Sequence, residues 1–105
     1  MAITMMIGYP KDANFNTEYY LKHHYPAVTP LWKPFGMGTT RVMAPTDAKS
    51  PYAMLIEIEW PDMASFQRAQ AETPAETSKK YMEDMKNFTD KEPVIWFMEN
   101  KNGES

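Results

Sequence analysis

The chain has 105 residues, of which 43% are apolar, so it is long enough to fold as one domain around one core. Its net charge of -3, with scattered lysines and arginines, offers no basic surface for nucleic acid. The absence of cysteine excludes disulfides, thiolate metal sites and a cysteine nucleophile. The lack of cysteine also favours a cytoplasmic location. No run of about 18 apolar residues occurs and the N-terminus does not resemble a leader, so the sequence predicts neither a membrane span nor a signal peptide.

The first predicted strand, residues 2–9, reads AITMMIGY and is nearly all apolar. Runs that are apolar at successive positions are typical of strands covered on both faces. A helix is predicted to begin at Asn16, whose side chain can accept a hydrogen bond from a free amide of the first turn. Phe15 before this cap and Tyr20 within the helix form a predicted hydrophobic staple.

The first helix carries the only two histidines of the chain. At about 100° per residue, His24 lies near the middle of an apolar stripe and His23 lies towards its edge. Pro26 and Pro30 each remove a backbone donor from the helix, which predicts a break that opens space beside His24. The stripe comprises Tyr20, Leu21, His24, Ala27, Val28 and Leu31.

The second half of the chain repeats this pattern of strands and helices. Residues 38–44 form a weaker predicted strand. Residues 52–60 form a stronger one, with Glu57 and Glu59 on one face and apolar side chains on the other. A helical region follows from Asp62 to about Lys86, with a break expected at Pro74. Its predicted inward residues are Phe66, Ala69, Thr73, Tyr81, Met82 and Met85, and the last strand is PVIWFMEN, residues 93–100.

The order strand, helix, strand, strand, helix, strand predicts an α+β, ferredoxin-like βαββαβ domain with a four-stranded antiparallel sheet. We assign residues 1–100 to this domain and expect residues 101–105 to be a flexible tail. Two helices on one face of the sheet leave the other, also apolar, uncovered. The sequence therefore predicts a homodimer in which two sheets face each other.

Two segments resemble the EthD family. YYLKHHYPAV, residues 19–28, is similar to its first-helix motif, in which paired aromatic residues precede histidine-x-proline. YMEDMKNFTDKEPVIWFME, residues 81–99, is similar to its ending. The resemblance implies a dimeric α+β barrel, a fold shared with cofactor-free oxygenases, isomerases and cyclases that act on aromatic or polyketide-like molecules. Tyr25 and Ala27 depart from the family pattern, where methionine and leucine are usual.

His24 is the candidate catalytic residue, because an imidazole in an apolar cleft can orient a phenol or carbonyl or move a proton. Alternatively, His24 bonds the carbonyls that the prolines free. Asp84 is the second candidate, as the acid that fixes the tautomer of His24. Alternatively, Asp84, Asn87 and Thr89 only form a helix-ending turn.

A small hydrophobic or aromatic ligand is the expected partner, and we expect no cofactor. The two adjacent histidines point about 100° apart and cannot readily share an ion, so no metal site is expected. The chain is expected to be a cofactor-free enzyme or, alternatively, a non-catalytic accessory protein that carries a hydrophobic intermediate. The expected ligand-binding residues are Tyr20, His23, Trp32, Trp60, Asn87 and Phe88.

Overall fold

A computed structural model describes residues 2–101, and residues 102–105 of the expected tail lie outside the described part. Four strands, β1 to β4, alternate with four α-helices, α1 to α4, a π-helical turn and two short 3-10 helices. In chain order they are β1 Ile3–Pro10, α1 Thr17–Tyr19, the π-turn Tyr20–His24, α2 Tyr25–Trp32, a 3-10 helix Lys33–Phe35, β2 Thr40–Met43, β3 Tyr52–Trp60, α3 Met63–Glu72, α4 Ala75–Asp84, a 3-10 helix Met85–Asn87 and β4 Val94–Glu99.

The strands form one antiparallel sheet in the order β2-β3-β1-β4. Met5 in the central strand β1 pairs with Ile58 of β3 on one side and with Phe97 of β4 on the other. This strand order, with the helices between β1 and β2 and between β3 and β4, is the ferredoxin-like arrangement. The predicted fold class is therefore confirmed.

The helices pack on one face of the sheet, which we call the helix face. Its strand residues include Met5, Ile56, Ile58 and Trp60, and all of them are buried. Because side chains alternate along a strand, their neighbours Glu57 and Glu59 point to the other face, as predicted. Arg41 is the cross-strand neighbour of Glu57 in the register of β2 and β3.

The opposite face of the sheet, which we call the open face, carries no helix of the described chain. Val94, Trp96 and Met98 alternate onto this face along β4, and Val94 and Met98 are 51% and 45% exposed. The rings of Trp96 and Tyr52 stack with centroids 5.6 Å apart. They lie across Gly8, where an added Cβ would be only 2.7 Å from the Tyr52 ring. Glycine therefore lets this aromatic pair lie against the backbone of β1.

The helix boundaries follow the predicted caps. The Asn16 side chain accepts from the backbone amide of Tyr19 at 3.0 Å, and Asp62 accepts from Ser65 at 2.7 Å. Pro74 separates α3 from α4, as expected from its fixed φ and missing donor. Met82 was predicted to face inward, but it is 71% exposed and lies outside the core, with part of its side chain bordering the cavity described below. Among residues 2–101 no helix is long and apolar enough to cross a membrane.

Candidate functional site

The first helical region widens into a π-turn at Tyr20–His24, directly before Pro26. The amide of Tyr25 donates to the carbonyl of Tyr20, five residues earlier, and Pro26 has no amide to continue the regular pattern. The sequence predicted a break at the prolines. The structure instead keeps the helix continuous, because the wider turn accommodates the missing amide of Pro26, and Pro30 lies inside α2. π-turns recur at functional sites, and this one ends on His24.

His24 and Asp84 lie side by side although sixty residues separate them. The Nδ1 atom of His24 is 2.9 Å from Oδ2 of Asp84. The other carboxylate oxygen, Oδ1, accepts from the hydroxyl of Tyr19 at 2.5 Å and from the side-chain amide of Asn87 at 3.0 Å. His24 thus contacts a carboxylate and not the carbonyls that the prolines free, which was the alternative interpretation of this residue.

The Asp84 carboxylate is held in its ionised form. Its partial burial opposes ionisation, but hydrogen bonds from Tyr19, Asn87 and His24 outweigh it and keep the pKa of Asp84 below its usual value. An ionised carboxylate can only accept hydrogen bonds, so Nδ1 of His24 carries the hydrogen. In neutral His24 the Nε2 atom is then an acceptor, and the structure gives it no partner within residues 2–101.

Aromatic rings fix the plane of the His24 imidazole. Phe88, which is 1% exposed, lies behind it with ring centroids 4.7 Å apart. The ring of Tyr20 packs against the imidazole with centroids 5.4 Å apart, and the ring of Tyr81 meets it edge-on at 6.0 Å. Phe88 in turn contacts Tyr20 and Tyr9. The imidazole therefore has little freedom to rotate away from Asp84.

A cavity of about 250 Å³ lies between the helices and the helix face of the sheet. This volume is just below the roughly 300–1,000 Å³ of sites for drug-sized ligands, so it suits a small ligand. Its lining is mainly apolar and aromatic. It comprises Met5, Ile7, Tyr9, Tyr20, His24, Tyr25, Val28, Trp32, Met37, Ile58, Gln70, Thr73, Ser78, Tyr81, Met82, Met85, Pro93 and Ile95.

Of the residues predicted for the site, His24, Tyr20 and Trp32 line this cavity. Three other predicted residues lie behind His24 and do not line the cavity. Asp84 contacts Nδ1 of His24, Asn87 donates to Asp84, and Phe88 packs against the imidazole ring.

Two predicted ligand contacts lie away from the cavity. His23 is exposed and packs on the ring of Tyr19 at 4.8 Å. Trp60 is buried behind Trp32, 6.0 Å away, and borders a separate and more open cavity of about 370 Å³ at one end of the sheet. That cavity contains Glu59 and Asn100 but no histidine.

Four tyrosines near His24 were missing from the predicted site. Tyr9, Tyr25 and Tyr81 line the cavity, and Tyr19 bonds Asp84. Regular helical periodicity places Tyr25 outside the apolar stripe that holds Tyr20 and His24. The π-turn changes the angle between successive side chains, so Tyr25 faces the cavity as well. Tyr9 and Tyr81 come from other elements, which the sequence pattern alone does not align with His24.

No group of three or more candidate metal ligands occurs within residues 2–101. The titratable groups that line the cavity are instead one imidazole, backed by a carboxylate, and several phenols, while Gln70, Thr73 and Ser78 add neutral polar side chains. Such a set can bind an aromatic oxygen compound and exchange protons with it.

No protein-family model and no curated protein sequence matches this chain, but solved structures do. An EthD-like protein from Ralstonia eutropha is 21% identical, with 99% of this chain and 96% of that chain covered and a TM-score of 0.76. An ethyl tert-butyl ether D (EthD) family protein from Bacillus halodurans is 19% identical, with 95% and 99% covered and a TM-score of 0.68.

A third similar structure is that of SnoaB, a cofactor-independent oxygenase from Streptomyces nogalater. It is 10% identical, with 98% of each chain covered and a TM-score of 0.61. Identities this low establish the shared fold and leave the chemistry to be argued from the site. The chain therefore has the ferredoxin-like fold of the EthD-like proteins, the family that its two sequence motifs resemble.

Proposed function

We propose that the chain binds a small aromatic ketone or phenol in the cavity beside His24, and that His24 removes a proton from it without a cofactor. The observation that carries the proposal is the asymmetry of the imidazole. Nδ1 is held by Asp84, while Nε2 has no partner in the described chain and His24 borders an apolar cavity. A base with this arrangement is oriented by one nitrogen and reacts through the other.

The apolar lining suits an aromatic ketone, and removal of a proton from such a ligand starts its oxidation. A carbon conjugated with an aryl ketone, such as the methylene opposite the carbonyl of an anthrone, loses a proton to Nε2 of His24. The electron pair that it leaves is delocalised onto the carbonyl oxygen as an enolate. The enolate of an anthrone can then react with dioxygen, giving the quinone and one molecule of water. The fold shared with SnoaB, a cofactor-independent oxygenase, supports oxidation of this kind as one outcome of the proton transfer.

Turnover of anthrone under air tests the proposal, with oxygen uptake and quinone absorbance as readouts. His24→Gln removes the base but keeps a polar side chain of similar reach. His23→Gln is the matched control, because His23 is exposed and does not line the cavity. We expect His24→Gln to lower kcat by about a hundredfold or more, and His23→Gln to leave it unchanged.

Two results would contradict the catalytic role. Equal turnover by the wild-type and His24→Gln proteins removes His24 from the mechanism. A ligand that raises the melting temperature but is never converted favours the non-catalytic alternative, an accessory protein that carries a hydrophobic intermediate.

We further propose that the working form is a homodimer joined through the open face. Val94 and Met98 are about half exposed there, next to the stacked pair of Trp96 and Tyr52. A two-fold axis would place the same apolar surface of a second copy against these side chains and remove both from water.

A further inference from the structure

Three tyrosines of the cavity have hydroxyl groups without a protein partner. Tyr9, Tyr20 and Tyr25 all line the cavity, and the structure gives none of their hydroxyls a hydrogen bond within residues 2–101. Tyr9 and Tyr20 are 3% and 5% exposed. A hydroxyl that is buried without a hydrogen-bond partner is less stable than one that is hydrated. A ligand that accepts hydrogen bonds from these hydroxyls would remove that cost.

The hydroxyl oxygens of these tyrosines are not sealed inside packed atoms. Among residues 2–101, the fully enclosed side-chain polar atoms without a partner are Oγ1 of Thr40 and Nε1 of Trp60, and no phenol oxygen is among them. The phenol oxygens of these mostly buried tyrosines therefore retain accessible surface, and the rings that carry them border the cavity. By contrast, the hydroxyl of the neighbouring Tyr81 donates to the carbonyl of Ala27 at 3.2 Å.

The three phenols also lie near one another. Tyr9 and Tyr20 pack on the same ring, that of Phe88, at 6.0 and 5.2 Å. Burial raises the pKa of Tyr20, and the charges that Tyr9 and Tyr25 would carry raise it further. Burial also raises the pKa of Tyr9. Both phenols consequently stay protonated and able to donate far above neutral pH.

We infer that Tyr9, Tyr20 and Tyr25 form a receptor for a negatively charged oxygen, and that the ligand is bound as its enolate or phenolate beside His24. The inference rests on the proposed function and names the chemical class of its ligand: an aryl ketone or phenol whose oxygen gains charge when Nε2 of His24 takes the proton. The proton moves to the imidazole, the electron pair moves to the ligand oxygen, and the neutral phenols donate to that oxygen. Preorganised donors stabilise such a charge strongly in a cavity with little water.

Tyr25 adds a donor from the residue that directly follows His24, and its ring lines the same cavity. The π-turn that ends on His24 sets the direction of Tyr25, the next residue, so the same helical irregularity positions both groups.

Binding of p-nitrophenol, which ionises near neutral pH with a change of colour, tests the inference. The probe is compared with p-nitroanisole, its methyl ether, which cannot ionise. The proteins are the wild type and Tyr9→Phe, Tyr20→Phe and Tyr25→Phe. Tyr52→Phe is the matched control, because Tyr52 lies on the open face against Trp96. Absorbance titrations give the apparent pKa of bound nitrophenol, and equilibrium dialysis gives the affinity for the ether.

The wild-type protein should lower the pKa of bound p-nitrophenol, whereas an apolar cavity without donors would raise it. Tyr9→Phe, Tyr20→Phe and Tyr25→Phe should each weaken phenolate binding about tenfold or more, which raises the apparent pKa of bound p-nitrophenol by about one unit. Affinity for p-nitroanisole should change less than about twofold in every variant. Tyr52→Phe should behave as the wild type.

A raised or unchanged pKa of bound p-nitrophenol in the wild type overturns the inference, and this result requires no variant to fold. A lowered pKa that survives all three substitutions but is lost in His24→Gln also overturns it, while leaving the proposed role of His24 in place. If neither probe binds, the proposed ligand class and the receptor both fail.

Discussion

Asp84 accepts from Nδ1 of His24 through one carboxylate oxygen and from the hydroxyl of Tyr19 through the other, at 2.9 and 2.5 Å. The carboxylate therefore connects the end of α4 to both ends of the widened turn in the first helical region. Because the imidazole is bonded on one side and packed on Phe88, its free nitrogen is held in one direction. This relationship underlies the first prediction.

Asp84→Asn should lower kcat of the proposed reaction by about a hundredfold while changing KM little. An amide can donate to Nδ1, which favours the wrong tautomer and leaves Nε2 protonated. The pH profile of kcat should change shape in the variant, a change that loss of packing alone would not cause. Glu83→Gln, at the exposed preceding residue, serves as the control. Unchanged kcat in Asp84→Asn would remove the carboxylate from the mechanism.

The loss of folding stability at acid pH should depend on three aspartates. Hydrogen bonds lower the pKa of Asp62, Asp84 and Asp90 in the folded chain. At Asp62 and Asp90 these hydrogen bonds come chiefly from backbone amides. At Asp84 burial raises the pKa, but hydrogen bonds, first that of the Tyr19 hydroxyl, outweigh this effect. A lowered folded-state pKa means that the unfolded chain binds more protons, so this stability is present above about pH 4 and is lost as the pH falls further.

Urea titrations at neutral pH and near pH 3 would measure this effect. Asp84→Asn should lose less stability between the two conditions than the wild type does. Asp62→Asn is informative for comparison, since asparagine still caps a helix and only the titratable charge is removed. An identical loss in the wild type and in both variants would contradict the assignment.

Pro26→Ala should separate stability from function. Alanine restores a backbone donor and favours a regular α-helix, which would turn His24 and Tyr25 relative to the cavity. The gain in helix propensity is opposed by the greater freedom of the unfolded chain, so the free energy of unfolding should change by only about 1 kcal/mol. Ligand affinity should fall at least about tenfold. Retained affinity with retained stability would show that the π-turn does not position the site.

Gly8→Ala should disturb the open face. The new Cβ would lie 2.7 and 2.8 Å from two atoms of the Tyr52 ring and 3.2 Å from Trp96, so the stacked pair must move. We expect a loss of about 1–3 kcal/mol in the free energy of unfolding. Adding Tyr52→Ala to Gly8→Ala should recover part of this loss, because the two substitutions share one contact. Strict additivity of the two effects would contradict the steric explanation.

Met98→Lys should dissociate the proposed dimer. Met98 is 45% exposed in the single chain, so a lysine there costs one copy little, but a sheet-to-sheet contact would bury its charge. Sedimentation at micromolar concentration should give about twice the chain mass of 12.2 kDa for the wild type and the chain mass for the variant. Met82→Lys, on the helix side and 71% exposed, should remain dimeric. A wild-type monomer would overturn the dimer.

The sequence predicted the order of the elements well, because caps and prolines act locally. Asn16, Asp62 and Pro74 set boundaries that need no tertiary context, and alternation along β3 separated Glu57 from Ile58 correctly. The pattern could not predict the π-turn, since periodicity assumes about 3.6 residues per turn throughout. Tyr25, expected outside the inward stripe, therefore lines the cavity, although Val28 still faces inward as expected.

The candidate site was predicted in part. His24 and Tyr20 belong to one helix, one turn apart, so spacing alone brings them together. Asp84 was predicted as the partner of His24 from its position at the end of the second helical region, and the structure places the two side chains in contact. Tyr9 and Tyr81 reach the same cavity from β1 and α4, and no periodicity relates these elements to each other. Trp60 was misplaced because its neighbour Trp32 takes the surface that borders the cavity.

The distribution of the three tryptophans gives the protein separate optical signals for its two faces. Trp32 borders the cavity and Trp60 is buried behind it, whereas Trp96 is stacked on Tyr52 at the opposite surface of the sheet. A molecule in the cavity should quench the emission of Trp32, and association through the open face should shift the emission of Trp96 to shorter wavelength by excluding water. A Trp96→Phe protein would thus report occupancy alone, and a Trp32→Phe protein would report self-association with little interference.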